Sequence, residues 1–314
     1  MEKEITVGVS SCLLGEKVRY DGGHKNNNYI SNTLSRYFNF RAFCPEVNIG
    51  LGIPRPTIRL VLQDEQVRCK GTQDESFDVT EKLYQSADEQ AHWHANLSGY
   101  ILKKDSPSCG MERVRLYKGE MPERIGIGLY AKRLMENFPH LPIEEEGRLG
   151  DAVLRENFIQ RVFIYHRWQK LIASDLSWKG LTEFHAQHKY IFMSHNQAKA
   201  KALGKLLANN TKADVNLLAT EYLEAMMLLL KIRASKKNHV NTLQHIQGYL
   251  KNYLSQSDKK ELVDTIEQYR LGFLPLIVPI TLLKHHFMHH PDQYILNSYY
   301  LQPHPAELML LNTL

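Results

Sequence analysis

Ile5-Thr6-Val7-Gly8-Val9-Ser10-Ser11-Cys12-Leu13-Leu14-Gly15 joins an apolar run to a turn that carries a thiol. The run is β-branched and reads as a strand, which Ser, Cys and Gly then break. The same order recurs twice. Phe38-Asn39-Phe40-Arg41-Ala42-Phe43 leads into Cys44-Pro45-Glu46, and Tyr100-Ile101-Leu102 leads into Ser106-Pro107-Ser108-Cys109-Gly110. If the three runs are parallel strands of one sheet, Cys12, Cys44 and Cys109 converge on one edge, where α/β folds place their sites.

Around these runs the first half alternates strand and helix patterns, as βαβ units do. Helices are predicted over 27–37, from a Thr80 cap to about 98, and over 125–138, with a hairpin over 57–62 and 66–69. Fold class is therefore α/β. Residues 1–150 form a mostly parallel, Rossmann-like sheet domain, 151–180 a connecting helix, and 181–314 an all-α domain. In the last of these, segments 182–194, 195–209, 214–234, 239–254, 258–271 and 276–289 repeat apolar residues every three or four positions.

Composition is that of an ordinary globular protein, 43% hydrophobic and 23% charged over 314 residues. The apolar stretch 271–283 is too short to span a bilayer and holds Pro275 and Pro279. The start, Met1-Glu2-Lys3-Glu4, has no export-signal pattern, so a reducing cytoplasm is the expected location. Four cysteines in that setting point to metal or catalytic work rather than disulfides. Charge is uneven. Residues 1–150 carry 20 Lys and Arg against 21 Asp and Glu, whereas 151–314 carry 19 against 13 and 11 of the 15 histidines. A neutral half joined to a basic half suggests chemistry in the first and polyanion binding in the second.

The three thiols sit among Ser, Gly and Pro, residues that let backbone amides approach a thiolate or a cluster sulfide. No Cys-x-x-Cys or His-x-x-x-His partner lies near them, so zinc-ribbon spacing is absent. Three thiolates leave one corner of a four-iron cluster free for substrate; the plainer reading is three unrelated thiols buried at strand ends. Cys69, after Val67-Arg68, reads as a strand residue. Glu46 lies within reach of a metal at Cys44 and suits a general base, or else anchors its loop. Ser106 and Ser108 suit substrate contacts, or else cap the turn before Met111.

Ser11-Cys-Leu-Leu-Gly with Arg19-Tyr-Asp-Gly, Cys44-Pro-Glu-Val with Gly50-Leu-Gly-Ile-Pro-Arg, and Ser106-Pro-Ser-Cys-Gly together resemble the thiouracil desulfidase family. The second half, through Lys236-Lys-Asn-His-Val-Asn-Thr-Leu-Gln-His-Ile-Gln-Gly-Tyr and Tyr269-Arg-Leu-Gly-Phe-Leu-Pro-Leu-Ile-Val-Pro, resembles a helical domain of unknown function often fused to it. The resemblance implies a 4Fe–4S cluster on Cys12, Cys44 and Cys109 with one open iron. It also implies Glu46 as catalytic acid/base and Ser106, with Ser108 as the alternative, as active-site serine. Fused proteins of this type are tRNA 4-thiouridine desulfidases, which implies tRNA as partner and sulfide as product. The alternatives are a desulfidase of free thiouracil-like bases and an iron–sulfur redox sensor that binds nucleic acid.

For RNA contacts the second half offers Lys199, Lys201 and Lys205, taken as one side of a helix, and Lys236, Lys237, Asn238, His239 and Gln244 at another helix start. A solvated face is the competing reading. His285-His286-Phe-Met-His289-His290 lacks a His-Glu-x-x-His pattern and reads as packing and surface.

Overall fold

The computed structural model describes residues 4–119, 121–174, 176–211 and 214–305, with Leu308 and Leu311. The chain divides into two compact units, Met1–Asp151 and Ala152–Leu314.

The first unit holds two four-stranded sheets. One is wholly parallel and ordered β2 (Phe38–Phe43), β1 (Ile5–Ser10), β5 (Gly99–Leu102), β8 (Ile143–Glu145). Its two central strands, β1 and β5, are apolar and buried, as a covered parallel sheet requires, whereas edge strand β2 is partly exposed. The other is ordered β4 (Gln66–Gly71), β3 (Ile58–Gln63), β6 (Val114–Tyr117), β7 (Pro122–Gly126); β3 and β6 are parallel and each pairs with its hairpin neighbour. In the first sheet the chain leaves β1 for β2 on one side and reaches β5 on the other. That reversal opens a crevice at the carboxyl ends of β1, β2 and β5.

Among its described residues this unit has four α-helices: α1 (Pro45–Asn48), α2 (Thr80–Glu89), α3 (Ala91–His94) and α4 (Leu129–Asn137). Three expectations need correction. The segment 27–37 is not an α-helix but a wide turn, Tyr29–Thr33, followed by a tight one, Leu34–Arg36. Thr80 is the first residue of α2 and not its cap, which is Val79; Asp78 accepts the Thr80 N–H at 2.9 Å, and the Thr80 hydroxyl accepts the Cys69 N–H at 2.8 Å. Ile125 and Gly126 end a strand, and α4 starts only after Gly128. Periodicity alone could not separate that strand from the helix it feeds.

The second unit is helical: α5 (Ala152–Ala173), α6 (Trp178–His195), α7 (Gln197–Asn209), α8 (Val215–Leu230), α9 (Lys236–Gln247), α10 (Gln256–Leu271), α11 (Ile277–His289) and the short α12 (Gln293–Leu296). Ser177, Asn196, Asp214, Ser235, Ser255 and Asp292 cap six of these with side-chain oxygens. Gly272, at φ +87°, stops α10 in the left-handed conformation that glycine adopts without a Cβ penalty. Trp168, Phe184 and Tyr222 tie α5, α6 and α8 together, with Trp168 stacked on Tyr222 at 5.6 Å. No helix among the described residues is long and apolar enough to cross a membrane.

Candidate active site

Each thiol is placed by the strand before it. Cys12 lies in the turn Ser11–Leu14 after β1, which Gly15 ends at φ +92°. Cys44 follows β2 and opens α1, where Pro45 takes the first helical position. Cys109 needs more support, because several residues separate it from β5. Ser106 Oγ accepts the N–H groups of Ser108 at 3.3 Å and Cys109 at 3.1 Å, which closes the turn. Gly128 then passes directly beneath: a Cβ there would stand 2.6 Å from the Ser108 carbonyl.

The run Glu144-Glu145-Glu146 anchors this loop from below. All three side chains are buried. Glu145 accepts the N–H groups of Met111 at 2.7 Å and Glu112 at 3.4 Å, and its burial pushes its carboxyl pKa up. Glu146 accepts the Lys104 N–H at 2.7 Å and pairs with the Lys103 ammonium at 2.5 Å. Glu144 pairs with Arg148 at 2.6 Å. The available signal was three consecutive acids directly after Leu141-Pro142-Ile143.

Cys12, Cys44 and Cys109 line one cavity of about 480 Å³, together with Glu46, Ser106 and Ser108. Glu46 is held from two sides. Arg55 donates to its Oε2 through Nε at 3.0 Å and Nη2 at 2.7 Å, and the Ser108 hydroxyl donates to Oε1 at 2.5 Å. Three donor groups therefore converge on the two oxygens of one side chain. Ser106 Oγ lies 2.9 Å from Ser108 Oγ, so a line of polar atoms runs from Ser106 through Ser108 and Glu46 to Arg55. Ser108 is fully buried, whereas Ser106 is half-buried. In sequence Arg55 stands out only as the last residue of Gly50-Leu-Gly-Ile-Pro-Arg; its paired contact with Glu46 depends on the loop from Pro45 to Arg55 turning back on itself. Lys25, Lys104 and Arg115 also line the cavity.

All the cysteines are free thiols. Burial, then the neighbouring Cys44, pushes the Cys12 thiol up to about 11; burial likewise raises Cys44 and Cys109. Such thiols stay protonated until a cation arrives to exchange for the protons. Among the described residues no three His, Cys, Asp or Glu side chains are spaced to share one ion. A cubane presents its corners to separate ligands, so three soft thiols on three loops around one cavity fit an iron–sulfur cluster better than a single metal ion. Cys69 is not among the cavity's residues: it is buried in β4, and its N–H is bound by Thr80.

In the second unit, Lys199, Lys201 and Lys205 are all exposed on α7, but not on one side. Lys201 and Lys205, four residues apart, share a face; Lys199 is two residues from Lys201 and points away. Lys237 and Gln244 are exposed on α9. Lys236 leans over the Tyr269 ring at 5.8 Å, and Asn238 donates to the His195 carbonyl at 3.0 Å. His239 is not a surface group: it is 8% exposed and lies 2.9 Å from the Tyr300 hydroxyl, on the face that α9 turns inward.

The model of the 2-thiouracil desulfurase family matches residues 7–146, and that of DUF1722, a family of unknown function, matches residues 189–305. The uncharacterized protein YbgA of Escherichia coli (strain K12) is 26% identical over 151 residues, covering 48% of this chain and 89% of its own. The uncharacterized protein YbbK of Bacillus subtilis (strain 168) is 32% identical over 108 residues, covering 32% of this chain and 71% of its own. A solved structure of the [4Fe-4S]-dependent thiouracil desulfidase TudS is 29% identical, with a TM-score of 0.40 over 48% of this chain and 97% of that one. On the family match and on YbbK, the chain belongs to the 2-thiouracil desulfurase family, with a DUF1722 region in its second unit.

Proposed function

We propose that the chain is a non-redox desulfidase that hydrolyses 4-thiouridine in tRNA to uridine and hydrogen sulfide, with a 4Fe–4S cluster held by Cys12, Cys44 and Cys109. The observation that carries it is the Glu46 carboxylate, fixed by Arg55 and Ser108 in the same cavity as the three thiols. Bound there, the cluster would supply a Lewis-acidic iron to the thiocarbonyl sulfur. Glu46 takes a proton from water as the water oxygen bonds to C4 of the base. Arg55 keeps that carboxylate aimed, and the Ser108 hydroxyl follows its charge as the proton arrives. When the C–S bond breaks, C4 keeps oxygen as a carbonyl and sulfur leaves with two protons, so no electron is gained or lost.

The basic second unit supports an RNA substrate, with Lys201, Lys205, Lys237 and Gln244 as exposed contacts. A free thiouracil-like base is favoured by a different observation: the cavity's cysteines, Glu46, Arg55 and both serines all lie between Cys12 and Cys109. The deciding experiment incubates anaerobically reconstituted protein with 4-thiouridine tRNA, following loss of the thiolated base and release of sulfide. Matching amounts that vanish in Cys12→Ala and Glu46→Ala establish the reading. An intact RNA base beside turnover of free thiouracil selects the free base, and cluster-dependent RNA affinity without sulfide selects the sensor.

A further inference from the structure

We infer that the helical unit holds a second base site, a cavity that takes one unstacked pyrimidine of the RNA; this rests on the RNA reading above. The cavity measures about 150 Å³. At roughly 30 Å³ of liquid per water it has room for about five waters, the scale of a single six-membered ring. Val153, Glu156, Asn157 and Gln160 face it from α5 at positions i, i+3, i+4 and i+7. His195 ends α6 beside it, Lys236 and His239 open α9, and Tyr269 of α10 forms a further wall.

Gln160, His195 and His239 are buried here and Glu156, Asn157 and Lys236 half-buried, and each set keeps polar atoms that no group among the described residues engages. Burial lowers the His195 pKa to about 4, so the ring is neutral and carries one N–H. Its Nδ1 lies 2.5 Å from the Ile232 carbonyl and its Nε2 lies 2.6 Å from the Gln160 Oε1, so two oxygens flank a ring with one N–H. Turning the Gln160 amide end for end gives each ring nitrogen a matching partner and leaves the Gln160 carbonyl oxygen for the cavity. Asn157 gives its amide N–H to the Leu230 carbonyl and keeps its oxygen. Glu156 uses one oxygen on the Leu311 N–H. His239 engages Nδ1 with Tyr300 and keeps Nε2, and Lys236 supplies N–H donors at the edge.

A phosphate is the wrong guest, because Glu156 would repel it and only Lys236 among the lining residues is a fixed cation. A metal ion is the wrong guest too, since no three ligand side chains converge among the described residues. A nucleobase edge wants alternating donors and acceptors, and its faces want apolar or aromatic walls, which Tyr269, Leu276 and Val153 provide. The stretch Lys231 to Lys237 adds Lys231, Arg233 and Lys237 as exposed cations beside Lys236, suited to the phosphates flanking an extruded base.

The test is chemical probing of tRNA pyrimidine N3 positions, with carbodiimide for uridine and dimethyl sulfate for cytidine, in saturated complexes of the full-length protein. Two variants are compared with wild type: Ala234→Leu, which fills the cavity without removing a polar group, and Lys236→Gln, which is half-exposed and safe for folding. One unpaired pyrimidine should be protected by wild type and reactive in both variants. tRNA affinity should fall about tenfold, the scale of one stacked base. Unchanged protections in both saturated variants would overturn the second base site while leaving RNA binding intact. Failure of wild type to bind tRNA would remove the RNA reading and this site with it.

Discussion

Ser108 donates its hydroxyl to Glu46 across 62 residues of sequence at 2.5 Å, and the same hydroxyl lies 3.7 Å from the Cys109 sulfur. The residue beside a candidate ligand is therefore also the residue that holds the candidate base. The two serines of Ser106-Pro-Ser-Cys divide their work: Ser106 accepts loop amides, and Ser108 reaches Glu46.

Ser108→Ala should lower kcat on the thiolated substrate by about 10²-fold with the cluster retained, the scale of one lost proton-handling contact. Ser106→Ala should act through the loop, lowering cluster occupancy more than the rate per cluster. Single-turnover rates normalised to iron content separate the two.

Arg55→Lys keeps the charge but cannot make both hydrogen bonds to Glu46 Oε2. We expect roughly 10-fold to 100-fold lower kcat with an unchanged visible spectrum. Wild-type turnover in the R55K enzyme would show that the bidentate geometry is dispensable.

Replacing Cys12, Cys44 or Cys109 singly by serine should abolish the iron–sulfur absorbance after anaerobic reconstitution. Cys69→Ser, buried in β4 away from the cavity, should keep it and cost about 1–3 kcal/mol of stability through a buried hydroxyl. Iron and sulfide analysis of the four variants checks this.

The helical unit should be acid-sensitive. Burial holds His188, His195 and His239 neutral, with pKa values near 3, 4 and 3; Arg167, Arg161 and His195 respectively add to the effect. In the unfolded chain histidine titrates near 6.5, so the unfolded state binds more protons below that pH. The stabilisation is complete above about 6.5 and is lost as pH falls toward the folded values. At pH 5 the loss is about 2 kcal/mol for each histidine. Thermal melts between pH 7.5 and pH 5 should show the fall, and His188→Leu should shrink it.

Lys201 and Lys205 share a face, so their joint replacement by alanine should weaken tRNA binding and reduce the slope of log K against log salt by about 2. Lys199→Ala, on another side of α7, should leave the slope nearly unchanged. Titrations at several salt concentrations read both.

The cysteine edge was legible because strand, turn and thiol are adjacent in sequence, and a parallel sheet does the rest. The helices of the second unit were legible for a similar reason: their apolar spacing and Ser, Asn and Asp caps are local. What escaped was built from distant pieces. β6, β7 and β8 are short, and the Ile125–Gly126 strand end runs almost directly into α4. Glu145 and Arg55 look like surface charges until the fold supplies Met111 and Glu46 as partners. His239 shows the reverse case, a polar residue at a helix start that faces inward.

Glu145 also sets an order of events during synthesis. The Cys109 loop leaves the ribosome well before β8, and its Met111 and Glu112 amides have no carboxylate until Glu145 follows. The third thiol is therefore the last to be set in place. A nascent chain that has exposed Cys12, Cys44 and Cys109 but not yet Glu145 holds all three sulfurs without the floor that aligns them. The cysteine edge is thereby complete only once the final strand of the sheet is present, just before the helical unit begins to emerge.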